Sequence, residues 1–207
     1  GGTKIDVAKI SSAHKETPFF SVPTTASHDG IASPLVSLKG LDKPYSVMAQ
    51  SPMAIVADTD VIINSSYRFT ASGCADVISK LTAVRDWKIA HEVKGEYYGE
   101  YAANLALMSA RLMVRNASLL KAEKEEGLRV LLEALISCGV AMSIAGSSRP
   151  CSGSEHLFGH ALDQIVPKPA LHGEQCGVGA IMMARLHIIN WLLVRDTLMR
   201  VGAPTTA

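Results

Sequence analysis

The chain has 207 residues, 48% of them apolar and 19% charged, with a formal net charge of +1. That length buries a real core, in one large domain or two small ones. A charge so close to zero leaves no electrostatic case for nucleic acid or an anionic membrane surface, so any anionic ligand needs a local site.

The four cysteines, Cys74, Cys138, Cys151 and Cys176, have no CxxC spacing and no small secreted framework around them. They read as free thiols of a reducing cytoplasm. No signal-peptide pattern opens the sequence. The most apolar stretch, residues 177–194, carries Arg185, His187 and Asn190 in its interior, which marks a buried core helix rather than a membrane span. Both ends read as cut. The run GGTKID at residues 1–6 looks like the middle of a glycine turn feeding a helix, and GAPTT at 202–206 looks like a helix stop leading elsewhere.

In chain order, residues 1–66 alternate short β-like runs with turn signals, the grammar of an α/β fold. The pattern predicts a helix over 6–12, short strands over 19–22 and 53–57, a loop over 26–34, and a hairpin over 36–47 with Lys39 and Gly40 inside it. From Tyr67 the period turns helical. Leu105, Met108, Leu112 and Leu119 predict one apolar helix face, and Leu128, Leu131, Leu132, Leu135, Gly139 and Met142 predict the next, joined by a charged linker at 121–126. Residues 145–154 form a Gly/Ser/Pro loop, and 177–201 predict one final helix. The expected architecture is α/β plus all-α. A partial Rossmann-like nucleotide-binding domain over 1–66 precedes a helical metal- and substrate-binding domain over 67–207, with a cleft between them.

Histidines are few, so their placement carries information. His156 and His160 stand four apart, on one face of a helix that starts at the preceding serines, and His172 follows a Pro-rich loop. Two histidines from neighbouring helices plus one carboxylate make a divalent-metal set with an open position. Asp76, in ASGCADVISK at 71–80, reads by itself as an acid opening a helix, stabilised by the helix dipole. Glu155 and Glu174 adjoin the histidines and compete with it. Two loops suit anions: the Gly1, Gly2 turn offers backbone N–H groups, and residues 23–30 concentrate hydroxyls with Asp29, a pattern that also makes ordinary turns.

Together these segments resemble a known family. GGTKIDVAK at 1–9 resembles the cofactor turn of the iron-containing alcohol dehydrogenase, glycerol dehydrogenase and dehydroquinate synthase superfamily. SVPTTASHDGIAS at 21–33, SRPCSGSEH at 148–156, PALHGEQ at 169–175 and the terminal GAPTT are similar to the archaeal sn-glycerol-1-phosphate dehydrogenase family. The resemblance implies a dehydroquinate synthase-like fold and the NAD(P)H-dependent reduction of dihydroxyacetone phosphate to sn-glycerol 1-phosphate, a step of archaeal ether-lipid (phospholipid) biosynthesis. It implies a zinc ion on Asp76, His156 and His172. Gly2, Thr3, Lys4, Ile5 and Asp6, with Thr24, Thr25, Ala26, Ser27 and Ser33, would line the nicotinamide cofactor. Asp29 and His160, with Asp76, would contact substrate. Zinc would serve as a Lewis acid toward the ketone oxygen, His160 would deliver a proton or orient substrate, and Asp29 would accept a hydrogen bond from the terminal hydroxyl. For the phosphate, Arg149 is the first candidate anchor, with Ser148 and Lys80 beside it. The expected state is a cytoplasmic homo-oligomer acting on a phosphorylated triose, with no nucleic acid and no membrane span. A glycerol dehydrogenase on the same scaffold, a metal-binding or structural helical protein without catalysis, and an inactive fragment that only binds metal are the rival readings.

Overall fold

The computed structural model describes residues 2–38, 45–122 and 124–206. Helix α1 (Gly2–His14) leads into β1 (Phe20–Ser21), a loop, and a single 3₁₀ turn at Asp29–Ile31. Strands β2 (Leu35–Leu38) and β3 (Tyr45–Met48) form the antiparallel hairpin that alternation predicts, with Leu35 opposite Met48. The turn with Lys39 and Gly40 lies outside the described residues. Strand β4 (Ala54–Ile55) returns parallel to β1, Phe20 opposite Ala54. All the described strands therefore lie before residue 56.

The rest is helical: α2 (Thr59–Ile63), α3 (Tyr67–Lys94), α4 (Glu100–Asn116), α5 (Leu119–Ala122), α6 (Lys124–Ala145), α7 (Ser154–Ile165), α8 (His172–Leu186) and α9 (Trp191–Val201). Helix α3 is the spine, packed on α4, α6, α7, α8 and α9. It ends at Gly95, whose left-handed φ of 67° lets its N–H turn back onto Ala90 and His91 carbonyls. Its buried run from Ala71 to Ala75 is made of small residues, and neighbours come in close. A Cβ on Gly73 would lie 2.0 Å from the Ala26 carbonyl oxygen, and one on Gly173 of α8 would lie 1.9 Å from that of Ser72. Leu128, Leu131, Leu132, Leu135, Gly139 and Met142 are all buried on α6, as their spacing predicts.

Four expectations are corrected. Asp76 does not open a helix: it is buried in the body of α3, because the apparent loop at 71–75 is a close-packed helical segment. Helix α4 buries Ala102, Ala103, Ala106, Ala110 and Met113, while Met108 is 58% exposed. A face of alanines brings α3 and α6 nearer than leucines would, and backbone proximity prevails over side-chain size. The charged segment near 121 is helical, with α5 ending at Ala122 and α6 starting at Lys124. The predicted last helix is two helices, broken at 187–190, where Ile188 has φ 57° and Asn190 caps α9 by accepting from Leu193 N at 3.1 Å. The helix long and apolar enough to cross a membrane, among the described residues, is α6 rather than 177–194, and half of its apolar window is buried in the core.

Candidate functional site

Three helices deliver the polar cluster. Helix α3 carries Asp76 and, one turn on, Lys80, both without solvent exposure. Helix α7 starts after Gly153, with Ser154 N donating to Asp86 on α3 at 2.6 Å, and brings in Glu155, His156 and His160. Helix α8 starts at His172. Its first turn is secured by Glu174, which accepts from Leu171 N at 2.9 Å and is held by Arg68 through both oxygens at 2.6 and 2.7 Å. Glu174 is thus occupied as a cap and ion-pair partner, away from the histidines.

Asp76, His156, His172 and Cys176 each place one ligand-type atom within 4.8 Å of the others. The imidazoles of His156 and His172 lie 4.9 Å apart between centroids, and His156 Nε2 is 3.6 Å from Asp76 Oδ1. Two imidazoles and a carboxylate in a buried nest are donors that fit a borderline divalent cation. Cys176 was not foreseen; its Sγ lies 3.6 Å from His172 Nε2, and its i+4 spacing from His172 was the available signal.

The electrostatics follow from burial and charge. Burial acts to raise the Asp76 carboxyl, but Lys80 and His156 outweigh it and hold the group well below its ordinary range. Burial also opposes charge on Lys80, and Asp29 and Asp76 overcome this, at 2.8 and 2.7 Å. Burial and the neighbouring His156 push His172 well below its usual value, so it is a neutral imidazole, the form that ligates.

A cavity of about 690 Å³ adjoins the cluster, within the usual range for a small-molecule site. His156, His160 and His172 line it with Asp29, Ser33, Ser148 and Ser152, and α1 contributes Gly2, Thr3 and Asp6. The His160 ring lies 6.3 Å from that of His172 and stands outside the four-atom cluster. Lys4, Ile5 and residues 24–27 are not on the cavity wall. Ser27 instead gives its carbonyl to Ser72 on α3 at 3.1 Å, and the Ala26 carbonyl abuts Gly73. Gly1 lies outside the described residues.

The structure places Arg149 off the cavity. Its Nε and Nη2 are engaged by the two oxygens of Glu96, and it does not line the cavity, although its neighbour Ser148 does. The reason is local: the single turn that carries Ser148 and Cys151 inward points the intervening guanidinium outward. Lys80 is enclosed between two carboxylates, so it too is committed.

A mostly helical body behind a short strand-rich segment is the fold of the iron-containing alcohol dehydrogenase and glycerol dehydrogenase class. The iron-containing alcohol dehydrogenase family profile matches residues 1–65. Glycerol dehydrogenase from Schizosaccharomyces pombe superposes with a TM-score of 0.79 at 20% identity, over 99% of this chain and 55% of that one. Sulfoacetaldehyde reductase from Bifidobacterium kashiwanohense gives 0.76 at 20%, over 99% and 62%.

Within that class the whole chain is similar to the glycerol-1-phosphate dehydrogenases [NAD(P)+]. It is 58% identical over 207 residues to the protein of Thermococcus sibiricus and covers 59% of it. The corresponding figures for the Methanosarcina acetivorans protein are 57% over 206 residues and 58%. The chain thus spans about 59% of the length of the curated relatives it matches.

Proposed function

We propose that the protein reduces dihydroxyacetone phosphate to sn-glycerol 1-phosphate with NAD(P)H, as a zinc-dependent oxidoreductase of archaeal ether-lipid synthesis. The observation that carries this reading is the convergence of Asp76, His156 and His172 beside a cavity whose wall carries the two histidines together with Asp29 and His160. The identity, over the whole of this chain, to proteins named glycerol-1-phosphate dehydrogenase supports the choice of reaction.

In this reading Asp76, His156 and His172 hold the zinc, which supplies a Lewis acid for the ketone oxygen when bound. A nicotinamide bound on the α1 side would supply the hydride. Gly2, Thr3, Asp6 and Ser33 on the wall support a place for that cofactor, and the resemblance adds Thr24, Thr25, Ala26 and Ser27. Asp29, fixed by Lys80, accepts a hydrogen bond from a substrate hydroxyl. His160 stays off the metal and holds or moves a proton at the reacting oxygen. Residues 1–66 then form the cofactor side and 67–207 the metal and substrate side of a homo-oligomeric enzyme.

A second reading, glycerol dehydrogenase, is favoured by one observation: among the described residues, no lysine or arginine lines the cavity. The deciding experiment compares kcat/KM of the full protein for dihydroxyacetone phosphate and dihydroxyacetone. A large preference for the phosphorylated ketone, with sn-glycerol 1-phosphate as the product enantiomer, is expected. Equal values for the two ketones would decide for glycerol dehydrogenase.

A further inference from the structure

Glu155 is a fully buried carboxylate beside the metal cluster but outside it. Its Oε1 accepts from Gly153 N at 2.7 Å and lies 2.8 Å from His156 Nδ1. Its Oε2 lies 2.8 Å from the Thr82 hydroxyl. An ionised carboxylate only accepts hydrogen bonds, so all three partners donate, and His156 carries its proton on Nδ1. The other ring nitrogen, Nε2, is the one that faces Asp76. A buried carboxylate with every bond matched costs little, whereas one left unpaired would be expensive. Two glycines make room for it. A Cβ on Gly179 would lie 3.0 Å from Glu155 Cα, and one on Gly153 would lie 3.0 Å from Glu155 Oε2 and 2.5 Å from Asp86 Oδ2.

We infer that Glu155 is a positioning residue: it fixes the ring of His156 with Nδ1 protonated, so that Nε2 is presented to the metal. This rests on the metal reading above. Carboxylates that hold a ligating histidine in this way sharpen its orientation and basicity, and losing one typically weakens metal affinity about 10–100-fold. Thr82, two residues beyond Lys80 on α3, aims the carboxylate. The imidazole is therefore set by the same helix that carries Asp76.

Two variants test this in the full protein. Glu155→Gln keeps the shape: the amide oxygen can accept from Gly153 N and His156, while the amide nitrogen donates to Thr82, whose hydroxyl then turns its one proton from residue 155 to the Ser79 carbonyl, 2.8 Å away. Glu155→Leu removes the acceptor altogether. Zinc affinity, read by competition with a chromophoric chelator, should fall about 10-fold or more in Glu155→Gln and further in Glu155→Leu. The metal-free thermal midpoint should fall far less in Glu155→Gln, which keeps the shape and the acceptor for His156, than in Glu155→Leu. In the zinc-loaded protein the Nδ1 proton of His156 should give a downfield, slowly exchanging NMR resonance that moves in Glu155→Gln, an effect that a purely structural role would not produce. Unchanged zinc affinity in both variants, with normal binding by the unsubstituted protein, overturns this inference alone. An unsubstituted protein that binds no zinc overturns the metal reading, and this inference with it.

Discussion

Lys80 donates to Asp76 at 2.7 Å from one helical turn away, and neither side chain reaches solvent. The same ammonium reaches Asp29 at 2.8 Å, so one cation ties a proposed metal ligand to a proposed substrate contact. Removing it would leave two carboxylates facing each other without a counter-charge. Lys80→Met should therefore destabilise the metal-free protein by about 3–5 kcal/mol, the usual consequence of breaking a buried pair from one side. The measurement is the urea midpoint without metal, and a loss under about 1 kcal/mol would show that the pair is not held as described.

The histidines should separate by role. His172→Ala in the full protein is expected to lose bound zinc and activity together, read by elemental analysis and by turnover. His160→Ala should keep its zinc and lose turnover by roughly 10²–10⁴-fold, the range for a lost general acid or base. Loss of stoichiometric zinc from His160→Ala would mean that the wrong histidine of the α7 pair has been assigned to the metal.

Arg149 is committed to Glu96 at the surface, away from the cavity. Arg149→Leu should leave KM for dihydroxyacetone phosphate within about twofold, since the guanidinium faces no cavity space, and change stability by no more than about 1 kcal/mol. A tenfold rise in KM, with zinc retained, would restore it as a phosphate anchor.

Acid should act on the carboxylates first. Burial works to raise Asp76 and Glu155, but charged and hydrogen-bonded neighbours hold both below their ordinary values of 3.8 and 4.5. Their bonds to Arg149 and Arg68 likewise lower Glu96 and Glu174. Groups with depressed folded-state values bind more protons when the chain unfolds. Their stabilising contribution is complete above the unfolded values and is lost as pH falls through the folded ones. The thermal midpoint should drop steeply below about pH 4, with proton uptake on unfolding seen by calorimetry in buffers of different ionisation enthalpy. A midpoint that stays level down to pH 3 would contradict these ion pairs.

Much of the fold could be read from local pattern. The hairpin alternates, α6 repeats its leucines at helical spacing, and His156 and His160 announce a helix face. What escaped the sequence depended on backbone proximity. The segment at 71–75 looks like a loop because it is rich in Gly, Ser and Ala, yet those are the residues that let α8 and the 26–27 loop touch α3. The break at 187–190 has neither Gly nor Pro, and Asn190 alone hints at it. The histidines of the candidate site were visible as a motif, and Asp76 only through family resemblance. In the sequence Glu155 stood only as a competing ligand, and its hold on His156 became visible once its three donors were placed around it, since sequence adjacency says nothing about which atoms meet.

The stretch of α3 from Asp76 to Asp86 works as a measuring rod. Asp76 faces the histidines, Lys80 the paired carboxylates, Thr82 the carboxylate behind His156, and Asp86 the start of α7 as well as His187 at 2.9 Å. Each graduation is separated from the next by a fixed angle of about 100° per residue. A single inserted or deleted residue within it would turn every later mark away from its target at once, with no local repair available. Such a segment should admit no change in length, so indels among relatives belong in the loops at either end.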